Sequence, residues 1–156
     1  MIIRKATEKD ADGIANVLLK CYNINGLEEG RQAFLNETKR LHHYIVAEEE
    51  GKIIGIVTWA MHGLPKHMLA ELDRIAVLPE YRGKGISTAL FNFLKEDADN
   101  EYRKHGFKLR KLYLLTHDDN ERAHAFYHKI GFGHETTLKR HYYKNKDEFV
   151  FSIFFD

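Results

Sequence analysis

One segment, between Met68 and Lys104, constrains the fold of this chain more than any other. The alternating run MLAELDRIAV is typical of a strand, and Pro79 soon follows, where a proline ends a strand because it has no N–H to donate. Gly83 and Gly85 then come just before a long amphipathic helix, which we expect from Ile86 to about Lys104. A strand, a glycine turn and a helix in this order predict an α/β fold.

The remaining segments complete an α/β pattern with the element order βααβββαβαββ. The periodicities predict strands at 1–6, 44–49, 52–62, 111–116, 135–144 and 149–155, and helices at 7–22, 28–41 and 119–130. Asp10 is placed as the acid of a capping box opened by Thr7, and Glu50-Gly51 is expected to be a hairpin turn. We therefore expect a single domain over residues 1–156, with a central mixed, mostly antiparallel sheet of about seven strands flanked by four helices.

The composition argues against several classes of partner. The chain carries 24 basic and 23 acidic side chains, so its formal net charge of +1 gives no general attraction to nucleic acid or to an anionic membrane. No stretch approaches the roughly 18 apolar residues that span a bilayer. Cys21 is the only cysteine and the first ten residues lack an apolar core, so we expect a cytoplasmic protein without a signal peptide. We expect the basic stretch 139–146 to form an ordinary hairpin.

The glycine turn does not match the nucleotide-binding motifs that it resembles in composition. A P-loop requires Ser or Thr after Gly-Lys, but Gly85 stands there, and Leu78 occupies the position of its first glycine. A dinucleotide fingerprint requires a third glycine, and Thr88 occupies that position. These two mismatches argue against a nucleotide-binding module.

The turn retains the physical features that all phosphate-binding loops share. Glycines reach the backbone angles that direct N–H groups at an anion, and the helix starting near Ile86 adds free N–H donors and the positive end of its dipole. Arg82 and Lys84 add positive charge. A diphosphate therefore fits across residues 82–88; the alternative is a tight turn that binds no ligand.

Two motifs together resemble the GNAT superfamily of N-acetyltransferases. The first is R/Q-x-x-G-x-G/A after a strand ending in V-x-P, here Arg82-Gly83-Lys84-Gly85-Ile86-Ser87 preceded by Val77-Leu78-Pro79. Ser87 departs from the usual Gly or Ala. The second is N-x-x-A-x-x-F/Y-Y followed by Gly-Phe, here Asn120, Ala123, Phe126, Tyr127 and Gly131-Phe132. The element order matches as well, so the resemblance covers nearly the whole chain.

The resemblance implies acetyl-CoA as co-substrate and no metal. In the family, the strand before the turn pairs with the pantetheine arm, the turn holds the diphosphate, and the asparagine of the second motif also binds the cofactor. The cofactor contacts carried over in this way are Ile75, Ala76, Val77, Arg82, Gly83, Lys84, Gly85, Ile86, Ser87, Thr88 and Asn120. The hydroxyl of Tyr127 is implied as the acid that protonates the departing thiolate.

The strand before the turn also offers a general base. Family members often place a base on this strand, and Glu71 stands at the matching offset upstream of the glycine turn, with Asp73 as the alternative. Strict alternation predicts that one face of the strand carries Glu71, Asp73, Ile75 and Val77. The presence of Glu71 and Tyr127 favours catalysis over a second hypothesis, a non-catalytic acyl-CoA-binding or sensing domain.

The acceptor remains open between a small amine or polyamine and a peptide N-terminus. The sequence offers acceptor contacts from two segments, with Tyr22, Glu28 and Glu29 in the first and Trp59, Met61 and His62 in the second.

We expect Cys21 to be buried in the core. His124 and His128 lack a third ligand for zinc, so we predict no metal there. The apolar final strand, FVFSIFF, offers a way to pair across a homodimer.

Overall fold

The computed structural model describes residues 1–156 and contains seven strands and four α-helices. In chain order these are β1 (Ile2–Lys5), α1 (Ala11–Cys21), α2 (Leu27–Lys39), β2 (His43–Glu49), β3 (Lys52–His62), β4 (Leu69–Val77), α3 (Ile86–Arg103), β5 (Lys111–His117), α4 (Glu121–Lys129), β6 (Gly133–Tyr143) and β7 (Lys146–Phe154). The predicted order βααβββαβαββ is confirmed. None of the four helices combines the length and the apolar character needed to cross a bilayer.

All seven strands form a single sheet in the order β1-β2-β3-β4-β5-β7-β6. Every neighbouring pair is antiparallel except β4 and β5, which run parallel, so the predicted mixed, mostly antiparallel sheet is confirmed. Strand β7 lies between β5 and β6, and both of its edges are already paired within the chain. The expectation that this strand pairs across a dimer is therefore wrong, because the free edges of the sheet belong to β1 and β6.

Helices cover both faces of the sheet because side chains along its central strands alternate between two apolar clusters. On β2, Ile45 packs with the cluster under α3, whereas Val46 packs with the cluster under α1 and α2. Leu90 from α3 and Ile14 from α1 are fully buried in these two clusters. The long helix that follows the glycine turn is thereby held against one face of the sheet.

Local turn chemistry follows the sequence closely. A single 3-10 turn, Glu8–Asp10, precedes α1, so the α-helix itself begins later than predicted. The Asp10 carboxylate accepts a hydrogen bond from the Thr7 N–H at 2.7 Å, as expected for the acid of a capping box, and pairs with Arg4 at 2.8 Å. Arg4 is the main cause that holds the pKa of Asp10 below its usual range.

Candidate active site

The parallel strands β4 and β5 separate after a short stretch of pairing. They are joined only from Leu69–Glu71 to Lys111–Tyr113. Beyond Glu71 a β-bulge interrupts the pairing of β4 with β3, because Thr58 faces Arg74 while Trp59 faces Leu72. A bulge bends and twists its strand, and the two parallel strands diverge from this point. A cavity of about 720 Å³ opens between them.

The bulge at Asp73 overturns the alternation predicted for β4. Leu72, before the bulge, and Ile75 and Val77, after it, all pack with the cluster under α3. Glu71, next to Leu72, therefore lies on the opposite face from Ile75 and Val77. The prediction of one shared face is wrong because the extra residue shifts the two-residue period by one position.

The glycine turn adopts the conformation that the sequence predicts. Gly83 and Gly85 have φ angles of +79° and +77°, in the left-handed region that side chains other than glycine rarely occupy, and Gly85 caps the N-terminus of α3. An added Cβ at either glycine meets no atom within 4 Å, so open space lies over the turn. Residues that line the cavity from this side are Arg82, Gly83, Gly85, Ile86, Ser87 and Thr88.

Helix α4 supplies the opposite wall. Asn120 is its N-cap, with the side-chain oxygen accepting from the Ala123 N–H at 3.3 Å, so the amide NH₂ stays free. Tyr127 lies two turns further along, 8% exposed, with its ring packed on Phe132 and Phe151. Both side chains line the cavity. Burial raises the pKa of Tyr127 to about 12, so the phenol remains protonated at neutral pH.

Glu71 lies in the same cavity with two polar neighbours. Its Oε2 is 2.8 Å from Nε2 of His62 and 3.4 Å from the hydroxyl of Tyr113. Asp73, the alternative base, also lines the cavity, and its Oδ2 lies 3.6 Å from Nδ1 of His42. One cavity thus joins two carboxylates on β4, a phenol on α4 and the glycine turn at the start of α3.

The family model described as the Acetyltransferase (GNAT) family matches residues 11–132, which include all of these elements. This chain belongs to the GNAT family. The resemblance drawn from the two motifs is therefore confirmed.

Individual relatives agree with the family assignment. This GNAT-family chain is 30% identical over 150 residues to an uncharacterized N-acetyltransferase of Methanocaldococcus jannaschii, covering 88% of the chain but only 62% of that relative. It is 27% identical to the aminoalkylphosphonate N-acetyltransferase of Salmonella typhimurium, covering 83% of each. An N-acetyltransferase structure from Staphylococcus aureus superposes with a TM-score of 0.76 at 21% identity, covering 98% and 97% of the two chains, which shows the shared fold.

Most residues predicted to bind the cofactor line the cavity of this GNAT-family chain. The segment Ile75–Val77 lies along its floor, and Tyr22 reaches Ile75 from the end of α1: the hydroxyl accepts from the Ile75 N–H at 3.1 Å and donates to the Ile75 C=O at 3.0 Å. Lys84 is the exception. Its side chain is exposed, with Nζ 5.3 Å from the centre of the Tyr81 ring, and does not line the cavity.

The expected acceptor contacts are only partly brought together. Trp59 is fully buried, donates to Asp97 at 2.9 Å and stacks on His43, so its prediction as an acceptor contact is wrong. Glu28 and Glu29 lie on the exposed start of α2, outside the cavity. His62 does not line the cavity, but its Nε2 lies beside Glu71, which does. Tyr22 alone of this set lines the cavity directly.

Sequence reasoning missed one polar pair in the GNAT-family cavity. Glu148, which is 2% exposed, hydrogen-bonds to Nδ1 of His117, and both line the cavity with Tyr142 above them. The two residues come from β5 and β7 and face each other only through strand pairing. Nothing in the sequence spacing marks a pair separated by 31 positions.

Two further side-chain groups bear on the sequence predictions. Cys21 is half-buried rather than buried: it lines the cavity, and its thiol donates to the Val77 carbonyl at 3.6 Å. Burial raises the pKa of this thiol, which makes it a poor nucleophile.

Glu37, His42 and Asp73 offer metal-ligand atoms within 4.8 Å of one another. The Arg74 guanidinium already binds Glu37 there at 2.5 Å, and its positive charge disfavours a cation.

Proposed function

We propose that this protein is an acetyl-CoA-dependent N-acetyltransferase that moves the acetyl group to a primary amine by direct attack. The observation that carries this proposal is the single cavity that unites the glycine turn, the open edge of β4, Glu71 and Tyr127. The residues present fit acetyl-CoA. The N–H groups of the turn and of the α3 N-terminus suit the diphosphate, and the edge of Ile75–Val77 suits the amides of the pantetheine arm.

Each chemical requirement of the transfer has a residue to meet it. Acetyl-CoA supplies an already activated thioester, so the chain need only manage protons and the charge on the carbonyl oxygen. Glu71 accepts the proton that the attacking ammonium group must lose, directly or through water. The Ile75 N–H donates to the carbonyl oxygen once the Tyr22 hydroxyl has left it.

Tyr127 acts at the leaving sulfur. Its phenol is protonated at neutral pH and has no other hydrogen-bond partner in the protein. The pKa of about 12 is above that of an ordinary alkyl thiol, roughly 8.5, so Tyr127 does not give up its proton freely to a finished thiolate. We assign it to donate a hydrogen bond to the sulfur as the C–S bond breaks, when charge develops there. The nitrogen gives up its second proton as the tetrahedral adduct collapses, and that proton completes the free thiol.

The charge around the acceptor end favours a cationic amine. Glu71, Asp73 and Glu148 place three carboxyl groups along this part of the cavity, against the one guanidinium of Arg74, which lies 3.7 Å from Asp73. Such a wall attracts a polyamine or the ammonium group of a peptide N-terminus. It disfavours an amine that also carries an anion. The aminoalkylphosphonate N-acetyltransferase relative is named for an amine of that kind, so we expect this chain to prefer a different acceptor.

An amine panel tests this function. The purified protein is mixed with acetyl-CoA and spermidine, a peptide with a free N-terminus, or 2-aminoethylphosphonate, and free thiol is measured. We expect thiol release with one of the first two acceptors and little with the third. If acetyl-CoA binds in calorimetry but no amine releases thiol, the alternative of a non-catalytic acyl-CoA-binding domain replaces this proposal.

A further inference from the structure

We infer that His62 is the proton exit of the active site, acting through Glu71. This inference rests on the proposed function, because it concerns the proton that Glu71 removes from the amine. Glu71 lines the cavity, whereas His62 does not and lies behind the Glu71 carboxylate. His62 is therefore a relay residue behind the base.

The geometry places Glu71 between the cavity and solvent. Its Oε2 lies 2.8 Å from Nε2 of His62. The Glu71 side chain is 22% exposed, whereas that of His62, the last residue of β3, is 42% exposed. A proton that reaches the carboxylate from the cavity therefore has a direct hydrogen-bonded path to an imidazole in contact with bulk water.

The neighbouring residues hold this pair in place. Tyr113 approaches the same carboxylate oxygen at 3.4 Å, and its ring centre lies 5.5 Å from that of His62. The loop after His62 is braced by His67, whose Nδ1 accepts from the Leu64 N–H at 2.9 Å. The imidazole of His62 is therefore attached to an ordered strand end.

The need for an exit follows from the reaction. With a carrier and an acceptor in the cavity, Glu71 is cut off from water on that side, yet it must lose its proton before the next turnover. The relay uses the His62 tautomer with the ring proton on Nδ1: the ammonium group gives one proton to the Glu71 carboxylate, the carboxylic acid passes it to the unprotonated Nε2, and the imidazolium releases its Nδ1 proton to water. Imidazole suits this step because it can accept a proton at one ring nitrogen and release one from the other. The neutral ring then regains its starting tautomer by exchange with water.

Two variants separate proton passage from orientation of Glu71. His62→Gln keeps an amide N–H that can hydrogen-bond to the carboxylate but cannot carry a proton. His62→Ala removes the ring and leaves space for a small base. In weakly buffered solution we expect both to lose kcat by about tenfold or more, in line with acid–base contributions, while the Kd for acetyl-CoA stays unchanged.

Added imidazole provides the decisive readout. We expect the kcat of His62→Ala to rise with imidazole concentration towards a plateau, and the wild type not to respond. His105→Ala, which removes an exposed histidine beyond α3, should match the wild type throughout. A His62→Gln variant with wild-type kcat, or a His62→Ala variant that imidazole does not rescue, would overturn the relay while thiol release by the wild type still supports acetyl transfer. No thiol release by the wild type with any amine would instead overturn the proposed function, and the relay with it.

Discussion

The hydroxyl of Tyr22 satisfies both main-chain groups of Ile75, accepting from its N–H at 3.1 Å and donating to its carbonyl at 3.0 Å. These two groups lie on the open edge of β4, where the proposed function places the pantetheine arm and the thioester carbonyl. The free protein therefore stabilises this edge with its own side chain, and a carrier must displace Tyr22 to pair there.

The first prediction follows from this competition. We expect Tyr22→Phe to bind acetyl-CoA more tightly, because the free protein no longer forms the bonds that binding must break. A net difference of about 1 kcal/mol per hydrogen bond is roughly fivefold in Kd, so loss of both bonds corresponds to an upper value of roughly thirtyfold. Tyr102→Phe is the matched control, since that buried phenol donates to the Leu69 carbonyl outside the cavity. Calorimetry that finds weaker binding for Tyr22→Phe would place the hydroxyl in the bound site instead.

The second prediction concerns the phenol of Tyr127. Tyr127→Phe keeps the ring packed on Phe132 and Phe151 but removes the hydroxyl that the proposed function assigns to the leaving sulfur. We expect kcat to fall by about a hundredfold while the Kd for acetyl-CoA stays within about twofold. Tyr143→Phe, on the exposed edge strand outside the cavity, should leave both values unchanged. Equal turnover for Tyr127→Phe and the wild type would show that this hydroxyl does not assist departure of the sulfur.

The third prediction uses two glycines with matched backbones. Gly85 and Gly106 have φ angles of +77° and +83°, and an added Cβ meets nothing within 4 Å at either. Replacing either by alanine should therefore cost a similar 1–2 kcal/mol or so in the free energy of unfolding. Only Gly85→Ala changes the turn that the proposed function assigns to the diphosphate, so only this variant should bind acetyl-CoA about tenfold more weakly. Equal affinity in the two variants, measured by calorimetry, would contradict the diphosphate site.

Local features of the fold can be predicted from this sequence much better than contacts between distant segments. The element order, the hairpin at Glu50-Gly51 and the left-handed glycines are predictable because each depends on a few adjacent residues with known backbone preferences. The bulge at Asp73 is not predictable, since one extra residue changes the pairing without changing the composition of the strand. It was enough to invalidate the alternation assumed for β4.

The candidate site divides in the same way. The glycine turn and the face of α4 that carries Asn120 and Tyr127 each correspond to a short sequence motif, and both line the cavity in the structure. The contact of Tyr22 with Ile75 spans 53 positions, and the pair of His117 and Glu148 spans 31, so no spacing rule reveals either. Trp59 fails as an acceptor contact for a related reason: its segment borders the site, but the side chain points into the core under α3.

The last prediction is a loss of stability at alkaline pH. Burial raises the pKa of Tyr127 and of Tyr102 to about 12, compared with an ordinary value near 10 in the unfolded chain. The neutral phenol is favoured by folding, so this stabilisation is complete below pH 10 and is lost as the pH rises through 12. Each of these two buried phenols contributes up to about 3 kcal/mol over that range. Urea unfolding at pH 9 and at pH 11.5 should show a smaller loss for Tyr127→Phe than for the wild type. An equal loss, or tyrosinate absorbance that titrates fully near pH 10 in the folded protein, would show that Tyr127 is more accessible to water than its packing implies.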